Sequence, residues 1–337
     1  MGSFKSTLST LRKGRVGVVL DQIFYKTIKR HVLIPPPAKY LIESASICNL
    51  RCPTCVTGSG KLKRKKQLLS IEDYRVILKK ISPYATSMTL HNWGEPLLNK
   101  DLPEMITLAS SKHITTEIST NGQLLDMEWA RQLVRSKLSY LIIALDGSTQ
   151  EVYERYRKAG NVNRTIAGLH NITRAKKESG ARYPLVEVQF VAMKHNLHEQ
   201  KEVEWIAKRG GADFFKVKLF GMNLHHEGVQ KLAETFVPLE NISRGYEKDN
   251  EGVFIQKGLI PNYCTIVNTA MTINSDGTVA SCCYDEQHDF PLGNLVQQGL
   301  KEIWYGKPYQ NLRAAIRANR AAIPMCNNCP ELRHTIK

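Results

Sequence analysis

Several things that would fix a class for this chain are missing from it. No stretch approaches the ~18 consecutive apolar residues of a membrane span. The short apolar run at residues 16–20 is boxed in by Arg15 and Asp21, which excludes a signal-peptide core. Internal repeats and low-complexity tracts are lacking, so solenoid and fibrous architectures are excluded. Cysteine is too sparse for a disulfide scaffold, with eight in 337 residues. In a chain read as cytoplasmic they stand first as metal ligands or catalytic thiols. Acidic residues are scarce beside basic ones, 31 against 47, which leaves a formal charge of +16. That surplus is not interleaved with an aromatic platform, which argues against nucleic acid as the partner. What is present, 42% hydrophobic and 23% charged residues, is ordinary globular material and excludes wholesale disorder.

The length suggests two domains. Residues 5–31 have apolar positions at helical spacing, and Pro35, Pro36 and Pro37 end that pattern. The resulting basic extension, 1–38, carries Arg12, Lys13, Arg15, Lys26, Lys29 and Arg30. It suits peripheral contact with an anionic membrane surface or, the favoured reading, padding of the main domain. From residue 39 onward, β-prone runs at 40–46, 87–91, 114–119, 140–145, 186–192 and 214–219 alternate with helical stretches. The helices are expected at 70–81, 102–111, 127–136, 162–177 and 199–209. Ser70 and Asp101 are the expected helix starts. Six strand–helix alternations over 39–220 predict an α/β fold, a parallel sheet or a partial barrel, with sites on the loops after the strands. Residues 221–263 show no period and read as a linker, and 264–337 hold the remaining cysteines.

Cys48, Cys52 and Cys55 sit in Cys-Asn-Leu-Arg-Cys-Pro-Thr-Cys, just after the first expected strand. Three thiols within eight residues are not explained by packing preference. Zinc normally takes four ligands in paired knuckles. An iron–sulfur cube held by three local cysteines leaves one iron open for a small molecule.

This C-x3-C-x2-C loop resembles the signature of the radical S-adenosylmethionine (radical SAM) enzymes. The resemblance implies a [4Fe-4S] cluster on those three cysteines, with SAM on the open iron. Reductive cleavage of SAM then gives a 5′-deoxyadenosyl radical that abstracts a substrate hydrogen. Thr54 stands where the family often has an aromatic residue. The turn Asn92-Trp93-Gly94-Glu95-Pro96 is similar to the family's Gly-Gly-Glu-Pro, so Gly94, Glu95 and Pro96 carry over as SAM-binding positions. By the same resemblance Ser119 and Asn121 end the third strand near SAM, Asp146 ends the fourth, and Arg157 lies near the SAM carboxylate. Glu187 and Gln189 share one face of the fifth strand and would line the cavity if that face is the inner one; Gln189 is counted with the cofactor-binding residues. Asp146 is also a plain turn former, and Gly-Glu-Pro alone is a generic turn.

Cys264, Cys282, Cys326 and Cys329 make a second set, and Asp276-Gly277 is a hairpin signal that would bring distant members together. Four thiolates suit a closed cluster or a structural zinc. With the first set, the segment resembles the SPASM or twitch extension of radical SAM enzymes, which implies one auxiliary [4Fe-4S] cluster. The expected architecture is a partial (β/α)6 radical SAM barrel followed by a small auxiliary-cluster domain. Cys283 is left over. It packs as a small buried thiol or, as in radical SAM epimerases, returns hydrogen to a substrate radical. Tyr284 or Asp285 beside it would serve as hydrogen donor or base.

The leading expectation is oxidation or epimerisation at a carbon of a small polar, sugar-like or anionic substrate. An electron donor such as flavodoxin or ferredoxin would supply the reductant. The run Lys61, Lys63, Arg64, Lys65 and Lys66 beside the cluster loop would attract the anion. Maturation of a ribosomal peptide is the alternative. It ranks second because only 47 residues precede Cys48, short for a leader-binding domain. An iron–sulfur electron carrier or a zinc scaffold is the non-catalytic alternative. Oligomeric state has no signal in the sequence.

Overall fold

The β-prone runs become a sheet because each is short, rich in β-branched or aromatic residues, and closed by a helix start or a turn. In the computed structural model, residues 34–222, 224, 228–238, 245–256, 260–327 and 329 are described. The basic helix expected over 5–31, and with it the membrane reading, lies outside the described residues. Strands β1 (Lys39–Ile42), β2 (Ser87–Thr89), β3 (Thr115–Thr120), β4 (Tyr140–Ala144), β5 (Leu185–Ala192) and β6 (Phe214–Leu219) lie side by side in chain order, all parallel. Between them run α1 (Ile71–Ile81), α2 (Leu102–Ser111), α3 (Met127–Arg135), α4 (Gln150–Tyr156), α5 (Val162–Glu178) and α6 (Gln200–Arg209). Ser70 caps α1 by accepting the Asp73 N–H, as expected. Asp101 opens α2 without a side-chain cap, Pro103 supplying the fixed φ of a first turn instead. The unexpected α4 is only seven residues long and is capped by the Thr149 hydroxyl.

Strand β5 shows which face is which. Val186, Val188, Phe190 and Ala192 are fully buried under the helices. Glu187 therefore faces the barrel interior, where its carboxylate meets Tyr140 and Lys216 from the strands on either side. Gln189 shares that inner face and donates to Glu187.

One sequence reading of the organisation is corrected. Residues 221–263 are not a plain linker. They hold α7 (Val229–Phe236) and the antiparallel pair β7 (Tyr246–Lys248) and β8 (Phe254–Gln256). Phe220, Phe236, Tyr246 and Phe254 build a second core there, against which Tyr156 packs. Elements this short carry no periodicity to read, although their aromatic anchors do appear in the sequence. The C-terminal cysteine segment follows the barrel as expected, and its strands extend the barrel sheet. After α8 (Thr265–Thr269), strand β9 (Ala270–Ile273) pairs in parallel with β1, and β10 (Thr278–Ala280) and β11 (Pro291–Asn294) follow antiparallel. One nine-stranded sheet thus runs β11-β10-β9-β1-β2-β3-β4-β5-β6. The Asp276-Gly277 turn joins β9 to β10 as expected, with Gly277 at φ +80°. Helices α9 (Leu300–Trp304), α10 (Lys307–Asn319) and α11 (Pro324–Asn327) close this end. There the buried Arg313 guanidinium lies 4.2 Å from the Trp304 ring centroid and donates to the Trp304 carbonyl.

Candidate active site

The loop after β1 carries Cys48, Cys52 and Cys55, and the chain is bent tightly to bring them together. A Cβ at Gly58 would lie 2.6 Å from the Cys52 backbone nitrogen, so only glycine fits there. The Arg51 N–H reaches the Lys158 carbonyl and ties the loop to the end of α4. Around the thiols stand N–H donors: Leu50 N–H lies 3.4 Å and the Asn121 amide 3.9 Å from Cys48 Sγ. Burial pushes the Cys48 thiol up to about 12 and Cys52 up to about 11, and raises Cys55 in the same way. Thiols this desolvated become thiolates when a metal supplies the missing positive charge. Among the described residues no three Cys, His, Asp or Glu groups converge tightly enough for a single metal ion. Zinc needs all its sulfurs about 2.3 Å from one centre. A cube instead spreads its thiolates over separate irons.

The turn after β2 packs directly on that loop. A Cβ on Gly94 would fall 2.1 Å from the Ala45 carbonyl oxygen, and the Glu95 N–H bonds to Ile47 O at 2.8 Å. Glu95 is buried and accepts from Thr120 Oγ1 at 2.7 Å, Asn121 N–H at 2.8 Å and Leu97 N–H at 3.1 Å. Its carboxylate therefore stitches the turn, through the Leu97 N–H that follows Pro96, to the end of β3. Asn121 bridges to the cysteine loop through Asn49 Oδ1 at 2.8 Å. The Ser119 N–H donates to His91 Nδ1 at 3.1 Å, which leaves the proton of that neutral imidazole on Nε2. Burial, with Lys218 nearby, lowers His91 to about 4. At the end of β4, Asp146 accepts the Val191 N–H at 2.8 Å and Arg157 Nε at 2.6 Å. Asp146 is thereby a positioning group, fully buried, that holds Arg157 beside Cys52. Gln189 lies on the inner face, bonded to Glu187 rather than to the cysteine loop. Thr54 forms a hydroxyl–hydroxyl hydrogen bond with Tyr156 at 2.8 Å.

The second set also converges. Cys264, Cys282, Cys326 and Cys329 line one cavity with Val267, Tyr284 and Met325, although 65 residues separate the first from the last. Burial raises the Cys282 and Cys326 thiols, the latter to about 11. Cys283 is not among the residues lining that cavity; its carbonyl accepts from Trp93 Nε1 at 2.9 Å. Asp285, expected as a base, has another task. It accepts from Ser281 Oγ at 3.0 Å and the N–H groups of Asp289 at 2.8 Å and Phe290 at 3.3 Å, capping the loop that follows β10. In the structure its carboxylate is engaged with the backbone and hydroxyl of its own loop.

Arg64 was expected to attract an anionic substrate, and the structure corrects this. Its guanidinium is bidentate to Glu43, at 2.7 and 2.5 Å, with the two side chains 7% and 0% exposed. It also donates to the Glu286 carbonyl, while Lys63 N–H and Lys61 O bond to the Gln287 side chain. This part of the basic run clamps the second cysteine segment onto the first. Glu43, His91 and Trp93 escaped the sequence reading because each acts through a partner far along the chain. Trp93 replacing a glycine of the expected turn was the one available signal.

Comparison with known proteins agrees with this geometry. Residues 42–200 match the Radical SAM superfamily and 264–330 match SPASM, an iron–sulfur cluster-binding domain. The chain is similar to the Fe-coproporphyrin III synthase of Methanosarcina barkeri, 32% identical over 41% of this chain and 34% of that one. It therefore spans about a third of that relative's length. It is also similar to the mycofactocin maturase MftC of Mycobacterium ulcerans, 25% identical over 80% of this chain and 75% of that one. In fold it is similar to Streptococcus suis SuiB bound to the precursor peptide SuiA, with a TM-score of 0.63 at 17% identity, covering 95% and 74% of the two chains.

Proposed function

Because this chain belongs to the radical SAM superfamily and carries an SPASM iron–sulfur domain, we propose that it matures a peptide by hydrogen abstraction from carbon. Cys48, Cys52 and Cys55 would hold the [4Fe-4S] cluster that binds SAM, with Gly94, Glu95, Pro96, Ser119, Asn121, Asp146, Arg157 and Gln189 shaping the surroundings. Cys264, Cys282, Cys326 and Cys329 would hold the auxiliary [4Fe-4S] cluster. When bound, the first cluster and SAM supply a 5′-deoxyadenosyl radical, and the second supplies an acceptor for the electron that remains. The chain's own part is to orient. Asp146 fixes Arg157, and Glu95 fixes the turn against the cysteine loop.

The observation that carries the peptide reading is the resemblance to a maturase along most of both chains, supported by a fold neighbour that binds a precursor peptide. This reverses the order expected from the sequence, which placed a small polar substrate first. That second reading keeps one observation in its favour: the inner face is rich in polar groups, among them Glu117, Glu187, Gln189 and Lys218. The test is anaerobic incubation of the reconstituted enzyme with SAM, dithionite and a panel of synthetic precursor peptides, read by mass spectrometry. A peptide that loses hydrogen in step with 5′-deoxyadenosine release is the expected result. Release stimulated by sugars or other small polyols, with every peptide unchanged, would overturn it in favour of the small-molecule reading.

A further inference from the structure

The turn after β2 links the first cysteine set to the Cys283–Tyr284 peptide beside the second through one residue. The carbonyl of Trp93 lies 3.9 Å from Cys55 Sγ, in the first set. Its indole Nε1–H donates to the Cys283 carbonyl oxygen at 2.9 Å, and its ring meets Tyr284 edge-on, with centroids 6.3 Å apart. The Cys283 carbonyl and the Tyr284 N–H belong to a single planar peptide group. That N–H donates in turn to Cys282 Sγ at 3.3 Å. Indole N–H, peptide C=O, peptide N–H and cysteine sulfur thus form one continuous relay, ending on a member of the second set. Hydrogen bonds in series polarise one another, and in a partly buried site the effect is not diluted by water. An N–H directed at a cluster sulfur favours the reduced, more negative state and is one of the levers that set a cluster's potential.

We propose that Trp93 is a positioning residue for the auxiliary cluster: it fixes the Cys283–Tyr284 peptide group and thereby raises the reduction potential of the cluster bound through Cys282. The inference rests on Cys282 being a ligand and is indifferent to the substrate. A glycine at position 93, as in the turn this one resembles, has no side chain to start the relay. Trp93 also joins the two sites physically, because the turn that carries it is the one packed on Ala45 and Ile47 of the first cysteine loop.

The test is a redox titration, followed by electron paramagnetic resonance, of the full chain carrying Cys48→Ala, Cys52→Ala and Cys55→Ala, so that only the auxiliary cluster is present. Adding Trp93→Phe keeps an aromatic ring and removes the N–H. The one-electron equilibrium is expected to move about tenfold toward the oxidised cluster, a potential about 59 mV more negative. Placing 3-benzothienylalanine at position 93, which keeps the shape of the indole and lacks only the donor, should give the same shift. An unchanged potential in that isosteric variant overturns the proposal, whatever Trp93→Phe does. Absence of iron from the triple variant with Trp93 intact would instead overturn the assignment of Cys282 as a ligand, and the iron count separates the two outcomes.

Discussion

Removing the Arg64 guanidinium should unfold the joint between the two cysteine segments before it affects any substrate. Arg64→Leu leaves Glu43, which is 0% exposed, without its bidentate partner. The remaining donors to that carboxylate, the Ser275 N–H at 3.3 Å and Oγ at 3.2 Å, are long and carry no charge. Breaking one side of a buried pair costs about 3–5 kcal/mol, because the surviving charge stays desolvated. The bond from Arg64 Nε to the Glu286 carbonyl is lost as well. With a urea dependence of about 3 kcal/mol per M, the unfolding midpoint should fall by about 1–1.7 M. The double variant Glu43→Leu/Arg64→Leu should recover most of that loss, since an apolar pair leaves no buried charge. Urea titrations by tryptophan fluorescence and by far-ultraviolet dichroism measure both. A loss below about 1 kcal/mol in Arg64→Leu, the range of solvated surface pairs, would refute the reasoning. It would also return Arg64 to the pool of basic residues available to an anionic substrate.

The other predictions concern the site itself. Gly94→Ala puts a Cβ against the backbone of Ala45 and Ile47, which cannot yield as a side chain can. It should cost about 1–3 kcal/mol and weaken SAM binding in equilibrium dialysis; normal binding and stability would mean that the turn is not packed as described. His91 has its folded pKa lowered to about 4 from an ordinary value near 6.5. The unfolded chain therefore binds the proton first, so stability from this group is complete above about pH 6.5 and is lost as pH falls toward 4. The loss is about 3 kcal/mol at most. His91→Gln should flatten that part of the pH–stability curve, and an unchanged slope would contradict it. Cys283→Ala should keep the iron of both cysteine sets, whereas Cys282→Ser should lose that of the second. Undiminished turnover in Cys283→Ala would also dismiss Cys283 as a hydrogen donor.

The barrel strands were legible because each is a short β-prone run at a position set by the alternation. The run expected at 214–219 is β6 as found, and 102–111 is α2 as found. Ends such as 40–46 were drawn too long because apolar and small residues continue past β1 into the loop that feeds the first cysteines. Both cysteine sets were legible through spacing and turn chemistry, Asp276-Gly277 most directly. Pairings between distant side chains were not. Nothing around Arg64 in the chain announces Glu43 behind it or Glu286 above it, and a run of five basic residues looks the same whether solvated or clamped. The lobe at 221–263 was missed for a related reason: its core is made by Phe220, Phe236, Tyr246 and Phe254 meeting from four short segments. The face of β5 that looks inward was undecidable until Val188 and Phe190 were seen beneath the helices, which leaves Glu187 and Gln189 inside.

The central claim is that these two cysteine sets hold iron–sulfur clusters and that the first one acts on SAM. Anaerobic reconstitution with iron and sulfide, followed by metal analysis and incubation with SAM and dithionite, tests it most directly. The account predicts about four irons per cysteine set, roughly eight per chain, and release of 5′-deoxyadenosine and methionine that is abolished by Cys52→Ala. Tightly bound zinc without iron, or eight irons with no 5′-deoxyadenosine from SAM, would contradict it.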